Sequence, residues 1–117
     1  MYYIMLQILI VRLVSGSSGS NYREGRVEIY YRKKWGTICD DYWDLNDANV
    51  ICRQLNLPPA SAAPKNAFFG AGSGPIWLDN VKCTGSESYI NQCNTSAWQV
   101  HNCIHKEDAG AVCGIKR

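Results

Sequence analysis

The sequence has no marked excess of charge of either sign: 12 Lys and Arg against 10 Asp and Glu leave a formal +2. That balance argues against a dedicated duplex nucleic-acid binder, so recognition by charge has to be local. An apolar run long enough to span a bilayer is also missing. The longest candidate, Tyr2 to Val11, covers ten residues and is broken by Gln7, about half of what a transmembrane helix requires. The chain contains no internal repeat, heptad or low-complexity tract. Catalytic signatures are lacking too. There is no G-x-S-x-G and no H-E-x-x-H, and Gly70-Ala71-Gly72-Ser73-Gly74 has neither the dinucleotide spacing nor the P-loop lysine. His101 and His105 flank Cys103, but a cysteine held in a disulfide cannot act as a nucleophile. The expectation is a protein that is not an enzyme.

Cysteine, by contrast, is plentiful. Cys39, Cys52, Cys83, Cys93, Cys103 and Cys113 make an even set in a chain of 117 residues, the length of one domain. That usage suits an oxidising compartment. Structural zinc needs close pairs such as C-x-x-C, whereas the nearest cysteines here stand ten positions apart. Three disulfides are therefore expected. A bridge between partners some sixty residues apart removes roughly 4 kcal/mol of unfolded-chain freedom. Counting alone leaves fifteen connectivities open.

The N-terminal run resembles the middle of a secretory signal, yet it lacks a basic start, and Arg12 follows at once. Val11-Arg12-Leu13-Val14 then alternates as a strand does, ahead of a Ser/Gly-rich turn from Ser15 to Ser20. No polar cleavage region separates run from strand. Residues 1–10 are thus expected to be an apolar segment, the remnant of an upstream part of a longer protein in preference to a partial signal. Residues 11–114 would form the domain and 115–117 a tail.

Within the domain, Arg26 to Tyr31 sets Val27, Ile29 and Tyr31 against Arg26, Glu28 and Tyr30, the period of a half-buried strand. Trp35 to Cys39 continues it, which puts Arg32-Lys33-Lys34 at an exposed hairpin tip. Ala48, Ile51, Cys52 and Leu55 fall on one face of a helix that Asp44 and Asp47 begin and Pro58 and Pro59 stop. A loop from Ala60 to Gly74 follows, with Phe68 and Phe69 as expected anchors. Ile76-Trp77-Leu78 reads as a short buried strand, Ser86 to Cys93 as a brief helix capped by Ser86, and Ala111-Val112-Cys113 as the last strand. Trp35, Trp43, Trp77 and Trp98 read as core and loop anchors.

Five blocks occur in order: Gly25-Arg26-Val27-Glu28-Ile29, Trp35-Gly36-Thr37-Ile38-Cys39-Asp40-Asp41, Asp47 to Leu55, Gly72 to Asp79, and His105-Lys106-Glu107-Asp108-Ala109-Gly110. Together with the six cysteines, they make the chain resemble a scavenger receptor cysteine-rich domain of the six-cysteine, group A type, from about Val11 to Gly114. The resemblance implies an α+β fold: a curved antiparallel β-sheet cradling one main α-helix, loop-rich and stapled by disulfides. It implies bridges Cys39 to Cys103, Cys52 to Cys113 and Cys83 to Cys93. The extra bridge of eight-cysteine members would fall on Arg23 and Leu57, so both of its cysteines are absent together.

Asp40, Asp41, Asp44, Asp47, Asp79, Glu107 and Asp108 gather in three short stretches. The implied Cys39 to Cys103 bridge draws Asp40 and Asp41 toward the loop of Asn102 and Glu107. Carboxylates held close repel, and a hard divalent cation relieves the repulsion. By resemblance, Asp40, Asp41 and Glu107 would form one Ca2+ (or Mg2+) site, and Asp79 with Asn102 a neighbouring one. Asn80 stands where many relatives have a second aspartate, which weakens the latter. The competing reading is helix capping for Asp44 and Asp47, which is preferred for those two, and pairing of Glu107 with a cation. Arg32, Lys33 and Lys34 are the candidate ligand-binding patch, with Arg26 and Arg53 as further members; a solvated tip is the plain alternative. Asn94-Thr95-Ser96 is an N-glycosylation sequon.

The expected function is an extracellular ligand-binding module of a secreted protein or ectodomain. Its partners would be polyanionic glycans, sulfated ones included, microbial surfaces or extracellular proteins, captured with calcium. Nucleic acid would bind only as a polyanion, and a membrane only through other parts of a parent chain. The alternative is a metal-free structural or protein–protein interaction domain of a larger receptor or secreted protease.

Overall fold

A computed structural model describes residues 9–15, 19–20 and 23–114. Residues 1–8 of the expected upstream segment, the middle of the expected Ser/Gly turn and the C-terminal tail lie outside the described residues. The strands are β1 (Ile10–Ser15), β2 (Gly19–Ser20), β3 (Glu24–Tyr31), β4 (Lys34–Ile38), β5 (Ala60–Ala62), β6 (Ile76–Leu78) and β7 (Gly110–Cys113), with helix α1 (Leu45–Gln54) between β4 and β5. The first strand thus takes in Ile10, one residue before the expected start of the domain.

Alternation sets the register of the central strands. Val11 pairs with Ile29 and Leu13 with Val27, facing the core, while Arg12 and Glu28 pair on the other face. A slip of one residue would put every one of these on the wrong side. The sheet runs β2-β1-β3-β4-β6, and β7 pairs with both β3 and β5. It is mixed rather than wholly antiparallel, because β4 and β6 pair in parallel at Thr37↔Ile76 and Ile38↔Leu78. The connection between them carries α1 and the long loop, and a crossover of that length returns a strand in the same direction.

Helix α1 begins where a carboxylate can cap it. Asp44 Oδ1 accepts from the Asp47 amide while Asp47 Oδ2 accepts from the Asp44 amide, a reciprocal capping box. Asp47, Ala48, Val50, Ile51 and Cys52 are its buried residues. The helix ends before the prolines expected to stop it. Asn56 takes a left-handed φ of 59°, the Asn56 amide donates to Arg53 O, and the Leu57 amide donates to Cys52 O. That is a Schellman end, which satisfies two carbonyls that the last turn leaves open.

Around α1 lie Val27, Ile29, Ile38, Trp43, Leu78, Val81 and Ile90, all buried. Trp43 is the largest, and its indole Nε1 donates to Gly110 O at 2.8 Å. Phe69 packs against Gly110, where an added Cβ would come within 2.9 Å of its ring. Phe68, expected as a second anchor, is instead 69% exposed. The expected helix over 86–93 reduces to a 3-10 turn at Ile90–Gln92. Its acid is used locally: the Glu87 carboxylate accepts from the Thr84 and Gly85 amides and the Thr84 hydroxyl. Those bonds, the Thr84 amide foremost, hold the Glu87 carboxyl down at about 2.

Three disulfides close the fold: Cys39–Cys103, Cys52–Cys113 and Cys83–Cys93, with no free cysteine among the described residues. The second fastens α1 to β7. The first joins the end of β4 to the loop before β7 and so builds the site described next.

Candidate functional site

Strand β4 ends in Cys39-Asp40-Asp41, and the backbone there is held from two sides. The Cys39 amide donates to Leu78 O on β6, and the Asp40 amide donates to Glu107 O at 2.8 Å. With the Cys39–Cys103 bridge, these bonds carry the 102–107 segment against the end of β4. Glu107 stands in a 3-10 turn, His105–Glu107. The result is a cluster in which oxygens of Asp41 and Glu107 and the sulfurs of Cys39 and Cys103 lie within 4.8 Å of one another. Both sulfurs are in the disulfide, so neither is a thiolate ligand. The contact of Asp41 Oδ2 with Cys103 Sγ at 3.7 Å, and that of Asn102 Oδ1 at 3.5 Å, are packing contacts of a sulfur that carries no proton. What remains at this point is a pair of carboxylates.

Asp79, at the end of β6, is the third. It is buried, its Oδ1 accepts from the Asn80 amide at 2.7 Å, and its carboxylate meets the Asp41 carboxyl. Burial first and the Asp41 negative charge second push the Asp79 carboxyl up, against the pull of the Asn80 and Asn102 amides. Asn102 therefore serves Asp79 through its backbone, while its side-chain oxygen lies at the bridge sulfur.

Among the described residues, no Lys, Arg or His lies within ion-pair reach of Asp41, Asp79 or Glu107; the ion pairs are Arg12–Glu28, Arg26–Glu28 and His105–Asp108. The cationic partner that the plain reading assigned to Glu107 is absent there. Asp40 has a different position. Its Oδ2 accepts from the Asn66 amide at 2.7 Å, which anchors the long loop to the end of β4. Asp44 and Asp47 are capping residues, as expected, and Asp47 Oδ1 also accepts from the buried Cys83 amide. Nothing in the sequence signalled that long-range bond. The grouping of Cys83, Glu87 and Cys93 offers no comparable site, because both sulfurs are bridged and one carboxylate is left.

A donor set of carboxylate and amide oxygens, with no thiolate, fits a hard ion such as Ca2+ or Mg2+ and not zinc. Asp41, Glu107 and Asp79 are the residues that could hold it.

The cationic patch lies elsewhere. Arg32 and Lys33 form the two-residue tip between β3 and β4, and Lys34 opens β4. Asp40 and Asp41 follow the other end of the same strand. Seven residues of nearly extended chain put the tip about 20 Å from the carboxylates. The cations and the carboxylates thus stand at opposite ends of β4. Asn94 is exposed, and its backbone pairs with Lys82.

A mixed, curled sheet around one helix, closed by three disulfides, defines a small α+β domain of the kind found in oxidising, extracellular compartments. Residues 17–114 match the family described as the scavenger receptor cysteine-rich domain, SRCR. The third SRCR domain of murine neurotrypsin is 48% identical, covering 93% of this chain and 99% of that one with a TM-score of 0.81. The SRCR domain of mouse MARCO, solved in a dimeric form, is 50% identical over 78% of this chain and 86% of that one, with a TM-score of 0.73. The chain belongs to the scavenger receptor cysteine-rich family. Disulfide-bonded domains of this family are extracellular, non-enzymatic modules that mediate ligand or protein interactions. Among the described residues, no helix is long and apolar enough to cross a membrane.

Proposed function

We propose that this domain captures anionic ligands, sulfated glycans and microbial surface polyanions among them, or acidic protein partners, and that calcium bound by Asp41 and Glu107 takes part. The observation that carries the reading is the set of carboxylates on Asp41, Asp79 and Glu107, gathered by a disulfide and left without a cationic side chain. Backbone amides meet Asp79 and Glu107, but with no cation beside them the negative charges still repel, and a proton or a metal relieves that repulsion. Magnesium demands stricter geometry than a site of this kind supplies, so calcium is the better occupant. Asp79 and Asn102 contribute the neighbouring, weaker position, where Asn80 brings no charge. Calcium held by a few protein oxygens keeps coordination positions open, and a sulfate, phosphate or carboxylate of a ligand fills them.

Titration calorimetry tests this. The wild-type protein is expected to take up calcium with measurable heat, a raised thermal midpoint and improved retention on a sulfated polysaccharide resin. Asp41→Asn and Glu107→Gln should each abolish all three. If both variants keep the wild-type heat, midpoint and retention, the metal reading fails and a metal-free interaction domain replaces it. A separate mass measurement on protein secreted from animal cells tests glycosylation: Asn94→Gln should remove one glycan.

A further inference from the structure

The outer side of α1 is polar in an ordered way. Asn46, Asn49, Arg53 and Asn56 follow one another at spacings of three and four, so they make one stripe along the helix and just past its end. The stripe faces away from the residues that α1 buries against the sheet. Arg53 stands nine residues along from the Asp44 cap, about 14 Å of helix. The 84–87 loop lies against one side of the stripe, so close that a Cβ on Gly85 would come within 2.9 Å of Asn46 Oδ1. On the other side the Ala60 amide of β5 donates to Asn49 Oδ1 at 3.0 Å. Between the stripe and the chain leading into β5 lies an open cleft of about 260 Å³, lined by Asn49, Arg53, Asn56, Leu57 and Pro59.

Arg53 is held so that only one edge of its guanidinium is left to a ligand. Nη1 donates to Gly85 O and to Glu87 O, each at 2.7 Å, and so both of its hydrogens are used. Nε and Nη2 have no partner among the described residues. Their edge carries two parallel N–H groups, the fork that matches the two oxygens of a carboxylate. The charge is unpaired as well. The Glu87 carboxylate, one residue along the loop that holds Arg53, is turned onto the Thr84 and Gly85 amides and the Thr84 hydroxyl. The ion pairs among the described residues do not include Arg53. The Asn56 side chain has no hydrogen-bond partner among the described residues either. An amide both donates and accepts, which suits a sugar hydroxyl, and Leu57 and Pro59 give the cleft an apolar edge for the C–H face of a ring.

We propose that this cleft is a calcium-independent site for one carboxylated sugar residue at the end of a glycan. The Nε–Nη2 edge of Arg53 takes the carboxylate, Asn56 takes a hydroxyl, and the ring rests on Leu57 and Pro59. The size of the cleft suits a single residue, and its one cation suits a single negative charge. The site shares no residue with Asp41, Asp79 and Glu107 and needs no metal, so it can fail while the calcium reading stands.

The test titrates sialyllactose, neutral lactose and sulfated lactose into the whole domain in EDTA, followed by nitrogen–proton NMR of backbone amides and arginine side chains. Sialyllactose is expected to shift the Arg53 Nε–H and the Asn56 and Leu57 amides saturably, lactose to leave them in place, and sulfated lactose to bind several times more weakly. Arg53→Lys keeps the charge and loses the fork, and should weaken sialyllactose about tenfold. Asn56→Gly suits the left-handed φ of 59° at this position and so preserves the helix end; it should weaken sialyllactose about threefold with an unchanged or raised thermal midpoint, which separates lost binding from lost folding. Shifts that map elsewhere, a titration that does not saturate, or an affinity that both variants leave intact would overturn the site. Sulfated lactose binding as tightly as sialyllactose would overturn the carboxylate fork, and acetate doing so would overturn the part given to the sugar ring. None of these outcomes bears on the calcium site, which EDTA keeps empty.

Discussion

Asp47 makes stability depend on pH in a direction opposite to that of an ordinary salt-bridged carboxylate. It is fully buried at the start of α1, and desolvation pushes its carboxyl up to about 7, against the Cys83 and Asp44 amides that pull it down. In the unfolded chain the same group titrates near 3.8. Between those values the folded state holds a proton that the unfolded state has released, so stability rises as pH falls through the window and its full value is present below the unfolded pKa. The slope for one such group approaches about 1.4 kcal/mol per pH unit. Moving from pH 7.5 to 5.5 should stabilise the wild-type domain by about 2 kcal/mol through Asp47 alone. Urea unfolding in EDTA at several pH values measures it. Asp47→Asn removes the titration and gives up one of the two amide bonds to the carboxylate, a loss independent of pH, so the remaining groups contribute equally to the slope of both curves. The variant is expected to lack that part of the slope. Parallel wild-type and variant curves would refute the reasoning and mean that the amides and the helix terminus keep Asp47 ionised.

Two other perturbations have sharp expectations. Gly36→Ala would set a methyl group on the Trp77 indole and close to Pro75 O, which lies 2.8 Å from the added Cβ; thermal unfolding should show a loss of about 1–3 kcal/mol. Replacing Cys52 and Cys113 together by Ser opens a loop whose ends are 61 residues apart. It should cost roughly 4 kcal/mol and free α1 from β7, which hydrogen exchange would show as lost protection in both elements.

The parts of this structure set by local chemistry were readable in the residues. Period-two alternation marked Arg26 to Tyr31, and the 3.6-residue period with two aspartates at its start marked α1. Boundaries were harder to read. The helix ends at Gln54 because Asn56, left-handed two residues beyond, closes a Schellman turn, so the prolines are not the stop. β5 was missed, because Ala60-Ser61-Ala62 has little strand propensity and is fixed by tertiary bonds, among them the Ala60 amide to Asn49 Oδ1. The brief helix near Cys93 failed because Glu87 folds its own loop around its carboxylate. The pairing of cysteines came from the family resemblance and not from counting. Given that pairing, the meeting of Asp41 with Glu107 was legible. The use of Asp40 to hold Asn66 was not, since it depends on how a fifteen-residue loop returns to the sheet. Alternation did put Tyr30 on the face of Arg26 and Glu28, but Trp35, read as a core or loop anchor, is assigned to that same face only by its register opposite Tyr30.

The central claim is that Asp41, Glu107 and Asp79 are gathered for a cation. A crystal structure of the domain grown in calcium tests it most directly. The account predicts an ion at the end of β4 with carboxylate oxygens of Asp41 and Glu107 about 2.3–2.6 Å away, and Asp79 released from its contact with Asp41. Fully ordered Asp41 and Glu107 side chains with water alone between them, and the Asp41–Asp79 contact intact at millimolar calcium, would contradict it.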